Sequence, residues 1–228
     1  MLKVGIIGAG NISIYHIASY EKNSDCEVTA ICDVNKDLAQ DRAAEYGIAT
    51  VYTDYKELLK DESIDAVDIC TPNYLHSAIA VDAFKAGKHV FCEKPITVNY
   101  ALSCEMAEEA EKQGKILNIG VCNRYHKSVE LLEELNRQGE FGKIYHIYCS
   151  FRAFRSIPGL GGAFTDKAQS GGGALIDWGV HFLDLILYIL GDAKLKNVTC
   201  DAYSEMAKDM KSYKYKSMWA EDTKDIEN

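Results

Sequence analysis

Three stretches of this sequence place ionisable or polar side chains where chemistry is done. In VFCEKP, Val90 to Pro95, a lysine follows an apolar run and is pinned by the proline after it. Lys94 then projects past the end of the run, where its ammonium can hydrogen-bond a hydroxyl or carbonyl oxygen. A lone lysine after a strand is usually a solvated charge; Pro95 sets this one apart by fixing the turn, and the bond before it can be cis. In GGGALIDWGVHFLD, Gly171 to Asp184, Asp177 and His181 are four residues apart and Asp184 is three further on. Helical spacing puts all three on one face, among Ala174, Leu175, Trp178, Leu185 and Ile186. Burying such groups is costly unless they bond one another or a ligand, so a satisfied Asp/His network and proton transfer are the two readings. In ICTPNYLHS, Ile69 to Ser77, an apolar run ends, Pro72 blocks its continuation, Asn73 turns the chain and a helix begins. Thr71, Asn73 and His76 then sit at the end of a strand, unless this is only a proline turn that starts a helix.

The element that must position all of these is the first twenty residues, MLKVGIIGAGNISIYHIASY. Leu2 to Ile7 is a β-branched apolar run, Gly8-Ala9-Gly10-Asn11 is a turn, and Ile14, Ile17 and Ala18 recur at helical spacing. Gly8 permits the turn. Gly10 leaves out a Cβ that would hold a pyrophosphate away from the N–H groups at the helix start. Ser13 stands where glycine or alanine is usual and is small enough for close helix-to-strand packing. The glycine string is a weak signal alone, since such turns are common. Asp33 strengthens it, about 20 residues on at the end of the run Val28 to Cys32, where a carboxylate can accept hydrogen bonds from an adenosine ribose. Val34 follows it rather than arginine or serine, which favours NAD over NADP because a carboxylate repels a 2′-phosphate; Lys36 nearby keeps NADP open.

Composition narrows the class. The 228 residues carry a formal charge of −9 and no basic face, which argues against nucleic-acid or anionic-membrane partners. Eight cysteines, at 26, 32, 70, 92, 104, 122, 149 and 200, form no CxxC pair or zinc-like cluster, so a structural metal is not expected. They suggest a reducing compartment. The first strand begins almost at Met1, leaving no room for a signal peptide, and Phe182 to Leu190 is interrupted by Asp184 and shorter than the ~20 residues of a membrane span. A cytoplasmic protein is expected.

From Met1 to about Gly120 short β-like runs alternate with helical stretches, the pattern of a parallel sheet covered on both faces. Strands are expected at 2–7, 27–32, 49–52, 64–70, 88–92 and 116–121, and helices at 11–22, 36–46, 54–61, 74–86 and 99–113. After Cys122 the alternation stops. A helix over 125–138, a long strand over 143–154, a glycine-rich loop, an apolar helix over 174–190 and a strand over 194–203 are expected, with Tyr213 to Lys216 as a candidate edge strand. The expected fold is α/β, with a Rossmann doubly wound sheet over residues 1–121 and an α+β domain over 122–228.

Taken together, GAGNI, Asp33, TPN with His76, Glu93-Lys94-Pro95, and Asp177, Gly179, His181 and Asp184 in the pattern D-x-G-x-H-x-x-D resemble the Gfo/Idh/MocA family of sugar and polyol oxidoreductases. The likeness spans about residues 2–203. It implies a nicotinamide cofactor held by the first domain, at Gly8, Gly10, Asn11, Ile12, Asp33, Thr71, Asn73, His76, Glu93 and Lys94. It also implies a substrate site between that domain and an open-faced sheet in the second, with Lys94, Asp177 and His181 as the catalytic group. Arg124, Tyr125, Arg152, Arg155 and Trp178 are candidate pocket members for a sugar, inositol or related polyol. The second domain of the family is longer than 122–228, so the open-faced sheet and the homo-oligomer contact made through it are expected to be incomplete. Some family members are glycosidases that oxidise a sugar transiently, and a non-catalytic nucleotide-binding protein is the remaining alternative.

Overall fold

A computed structural model describes residues 1–152, 163, 165–191 and 193–203, and the chain divides into two compact units, Met1–Gly120 and Val121–Asn228. The first unit is a six-stranded parallel sheet in the order β3-β2-β1-β4-β5-β6. Its strands are β1 (Leu2–Ile7), β2 (Cys26–Cys32), β3 (Thr50–Tyr52), β4 (Ala66–Ile69), β5 (His89–Cys92) and β6 (Leu117–Ile119). Each strand returns to the same sheet edge through a helix: α1 (Asn11–Tyr20), α2 (Lys36–Tyr46), α3 (Tyr55–Leu59), α4 (His76–Lys85) and α5 (Tyr100–Lys112).

Successive side chains of a strand point to opposite faces, and both faces here are apolar. Val4 and Ile6 of β1 pack with Ile17 of α1 and with Ala39 and Ala43 of α2. Ile7 joins the other layer, with Leu58 of α3, Phe84 of α4 and Met106 of α5. Helix starts are fixed by side chains that satisfy otherwise unpaired N–H groups: Asn35 accepts from Leu38 and Asn99 from Leu102. Every strand and helix expected in this half is present, with ends moved by a few residues.

The second unit contains α6 (Lys127–Arg137), the short α7 (Lys167–Ser170), a π-helical turn over Leu175–Gly179 and α8 (Val180–Leu190). α6 and α8 are tied by Asn136 Nδ2, which donates to the carbonyl of Ile189 at 2.7 Å. The expected strands of this half differ: 143–152 and 194–203 are irregular and exposed, with no ladder partner among the described residues. Alternating sequence does not make a strand without a neighbour to take up its backbone groups. The open-faced sheet is therefore absent from the described residues, and the candidate edge strand 213–216 and Arg155 lie outside them. The stretch Lys167–Leu190 is, by length and composition, long and apolar enough to cross a membrane, although Phe182 to Leu190 alone is not. Core helices of soluble proteins pass the same test.

Candidate functional site

The parallel register brings the first unit's predicted residues to one sheet edge. Ile7 pairs with Cys32 on one side and Ile69 on the other, and Ile69 pairs with Cys92. Gly8, Asp33, Thr71 and Glu93-Lys94 follow within two residues of those strand ends. Backbone bonds latch the ends together: Gly8 N–H donates to Cys32 O at 2.8 Å and Glu93 N–H to Ile69 O at 3.0 Å.

The two glycines of the first turn serve different ends. Gly8 has φ +104°, and a Cβ there would lie 2.6 Å from the carbonyl oxygen of Cys70, so only glycine fits. Gly10 has φ −66°, and a Cβ there would meet nothing within 4 Å. Gly10 therefore keeps clear a space in front of the α1 N-terminus, where Asn11 and Ile12 are exposed. Ser13 is buried as its size suggested, and its hydroxyl donates to Gly10 O at 2.7 Å.

Asp33 is already engaged by the backbone. Its Oδ2 accepts the Ala9 N–H and its Oδ1 the Asn35 N–H, each at 2.8 Å. The carboxylate is thus fixed against the glycine turn, and each oxygen keeps a second lone pair for a ribose hydroxyl. Just past the end of β4, Thr71 Oγ1 is buried with no hydrogen-bond partner among the described residues. An open cradle at Gly10, an anchored acidic acceptor and an unsatisfied hydroxyl are what a dinucleotide would fill, so the residues present fit one.

His76 is corrected. It is fully buried, with Nδ1 2.8 Å from Pro95 O and Nε2 2.9 Å from Thr71 O. A neutral ring can donate to only one of these carbonyls, yet burial outweighs both and pushes its pKa down. His76 ties the TPN turn to the Lys94-Pro95 turn from beneath and presents no polar atom to a cofactor. The Lys94–Pro95 bond is cis. Glu93, expected at the cofactor, is bonded within the protein: Oε2 accepts the Lys94 N–H at 3.1 Å and Oε1 lies 3.0 Å from His16 Nε2.

In the second unit His181 opens α8 almost fully buried, its ring 5.7 Å from that of Trp178. Trp178 is stacked on Phe151 at 4.4 Å and 11°. Asp177 lies in the π-helical turn, which winds more widely than the α-helix assumed from spacing. Asp184 takes both arms of Arg124, Nε at 2.7 Å and an Nη2 bond, while the guanidinium lies over the Tyr188 ring at 5.0 Å. The hydrogen bond it donates to Asp184 raises the Arg124 pKa further. Arg124, expected to contact substrate, is thus paired with Asp184. Tyr125 and Arg152 are exposed.

Sequence reading passed over His16, Tyr20 and Asp68. The signal was available: Asp68 is a carboxylate in the middle of an apolar, doubly covered strand and must be paired to be buried. His16 Nδ1, an Asp68 oxygen and Cys70 Sγ lie within 4.8 Å of one another.

Comparison with known proteins identifies the family. Residues 2–121 match a family described as an oxidoreductase family with an NAD-binding Rossmann fold, and residues 129–222 match the GFO/IDH/MocA C-terminal domain. The chain is 36% identical over 208 residues to D-glucoside 3-dehydrogenase of Escherichia coli K12, covering 90% of this chain and 58% of that protein. It is 31% identical to myo-inositol 2-dehydrogenase of Thermotoga maritima, covering 84% and 55%. A solved NAD-binding oxidoreductase from Klebsiella pneumoniae superposes with a TM-score of 0.73 at 30% identity, over 83% of this chain and 53% of that one. The chain thus spans little more than half the length of these relatives.

Proposed function

The chain belongs to the Gfo/Idh/MocA oxidoreductase family, with an NAD-binding Rossmann unit at its N-terminus, and on that premise we propose that it transfers a hydride between NAD and a secondary alcohol or ketone of a sugar, inositol or related polyol. One observation carries this reading: the ends of β1, β2, β4 and β5 bring an open glycine cradle, an anchored aspartate, an unsatisfied threonine hydroxyl and Lys94 to a single sheet edge. In open parallel sheets that edge is where ligands bind. Two relatives named as glucoside and myo-inositol dehydrogenases support the substrate class.

NAD supplies the hydride acceptor. In this reading Gly10 and the α1 N-terminus face the pyrophosphate, Asp33 accepts from the ribose hydroxyls and favours NAD over NADP, and Thr71 Oγ1 finds its missing partner. Lys94 Nζ hydrogen-bonds the reacting oxygen and stabilises negative charge that develops there. His181 takes the hydroxyl proton on a ring nitrogen, a transfer suited to imidazole near neutral pH, and Asp177 orients that ring or holds a neighbouring hydroxyl. The eight cysteines are free thiols, consistent with a cytoplasmic setting.

The test is absorbance of accumulating NADH over a panel of glucosides, inositols and related polyols. His181→Ala should lower kcat by about 10²- to 10⁴-fold, the range for a general base, while NAD affinity holds. Equal turnover in the variant removes His181 from the mechanism.

A further inference from the structure

The sheet-facing side of α1 carries a titratable group that the proposed chemistry does not use. His16 lies between two carboxylates, with Nδ1 2.8 Å from Asp68 Oδ2 and Nε2 3.0 Å from Glu93 Oε1. The Asp68 side chain is wholly buried, and those of His16 and Glu93 are nearly so. An ionised carboxylate only accepts hydrogen bonds, so a ring between two of them needs N–H on both nitrogens, which is the imidazolium. The groups around it complete the box. From α1, the Tyr20 hydroxyl donates to the same Asp68 oxygen at 3.0 Å; from the end of β4, Cys70 Sγ lies 3.5 Å from both Asp68 Oδ1 and His16 Nδ1. From β5, the Phe91 ring meets His16 edge-on at 5.6 Å. A Cβ on Gly120 would come within 2.9 Å of Glu93 Oε1, so Gly120 leaves just enough room for that carboxylate.

Glu93 turns the box toward the sheet edge. Its other oxygen accepts the backbone N–H of Lys94 at 3.1 Å. Hydrogen bonds thus run without a break from Asp68 in β4, through the ring on α1, to the backbone that presents Lys94.

We propose that His16 is a positioning residue for Lys94: held as an imidazolium between Asp68 and Glu93, it fixes the Glu93 carboxylate that in turn holds the Lys94 backbone. The proposal rests on the reading of Lys94 as the group that meets the reacting oxygen. Burial opposes the charge on His16, but hydrogen bonds with Asp68, Cys70 and Glu93 and the charge of Asp68 outweigh it and push the ring up to about 12. Burial and Asp68 push the Cys70 thiol up to about 12 and raise the Tyr20 phenol, so neither adds a competing anion at neutral pH. A bond network of this kind, largely shut off from water, fixes geometry far better than a surface ion pair.

The experiment uses the full chain with nitrogen-15 in its histidines. Both ring nitrogens of His16 should stay protonated from about pH 6 to about pH 9, where an ordinary histidine has long since lost a proton. A neutral ring at about pH 8, or loss of the Nδ1 proton on adding Zn²⁺ because His16, Asp68 and Cys70 bind it, overturns the proposal. His16→Gln should lower kcat at least about tenfold. NADH affinity, followed by fluorescence, should hold within about threefold, so that the loss falls on kcat alone. A purely structural role would lower both together; that outcome, or an unchanged kcat, overturns the proposal. If His16→Gln does not fold, Glu93→Gln decides: it should bring the His16 ring down by at least about one pH unit, and an unmoved ring is a refutation. Absence of turnover in the parent chain counts against the proposed function alone, since the nitrogen spectra need none.

Discussion

At the scale of the residue, three side chains chosen for their chemical type turn out to be held by different partners. Asp33 was singled out for a ribose, and the structure adds that it accepts from Ala9 and Asn35, so it shapes the glycine turn as well. Asp33→Ala should therefore weaken NAD about tenfold or more, and NADP less, by fluorescence titration of both coenzymes; an unchanged ratio contradicts the ribose assignment. Arg124 was a candidate pocket member, and its guanidinium pairs with Asp184. With the arginine side chain more than a third exposed, solvent screens the pair, and a double-mutant cycle on Arg124→Ala and Asp184→Ala should return a coupling of about 1 kcal/mol. His76 has a chemical side chain and no access to solvent.

At the scale of the element, the turn between β1 and α1 shows how one substitution can have two outcomes. Gly8→Ala forces a Cβ into the backbone of Cys70 at positive φ, and should cost about 3 kcal/mol or more in denaturant unfolding, with coenzyme binding lost alongside. Gly10→Ala meets open space at an ordinary φ, so stability should stay within about 0.5 kcal/mol while NAD affinity falls as the Cβ enters the pyrophosphate cradle. A large loss of stability in Gly10→Ala, or unchanged stability in Gly8→Ala, would break the distinction. The helix carrying His181 teaches the opposite lesson. Spacing of four and three put Asp177, His181 and Asp184 on one face, but the chain takes a π-helical turn over Leu175–Gly179 and Asp184 is drawn to Arg124. Periodicity names the helix and misses its local winding.

At the scale of the whole molecule, a buried histidine and a half-buried one give stability opposite dependences on pH. Burial lowers the pKa of His76, so below the ordinary histidine value of 6.5 the unfolded chain binds a proton that the folded chain resists, and stability falls as pH falls. His16 is raised to about 12, so its contribution is complete below 6.5 and is lost as pH climbs towards that value. Urea unfolding from about pH 5 to about pH 10 should show both slopes; His76→Asn should flatten the acid side alone and His16→Gln the alkaline side alone. The doubly wound sheet was legible in the sequence because its strands are short, β-branched and buried on both faces, and its helices are capped by Asn35 and Asn99. The strands expected over 143–154 and 194–203 carried a similar alternation and did not form among the described residues, because a strand also needs a neighbour that its own sequence cannot supply. What the sequence determined by itself was local: where the chain turns, which runs are buried, and which residue types stand at the ends of strands. Only the tertiary structure decided which of those side chains meet. Pairing β1 with β4 and β4 with β5 set His16 between Asp68 and Glu93 across 52 and 77 residues of chain, and such a contact depends on sheet register rather than on any spacing along the sequence.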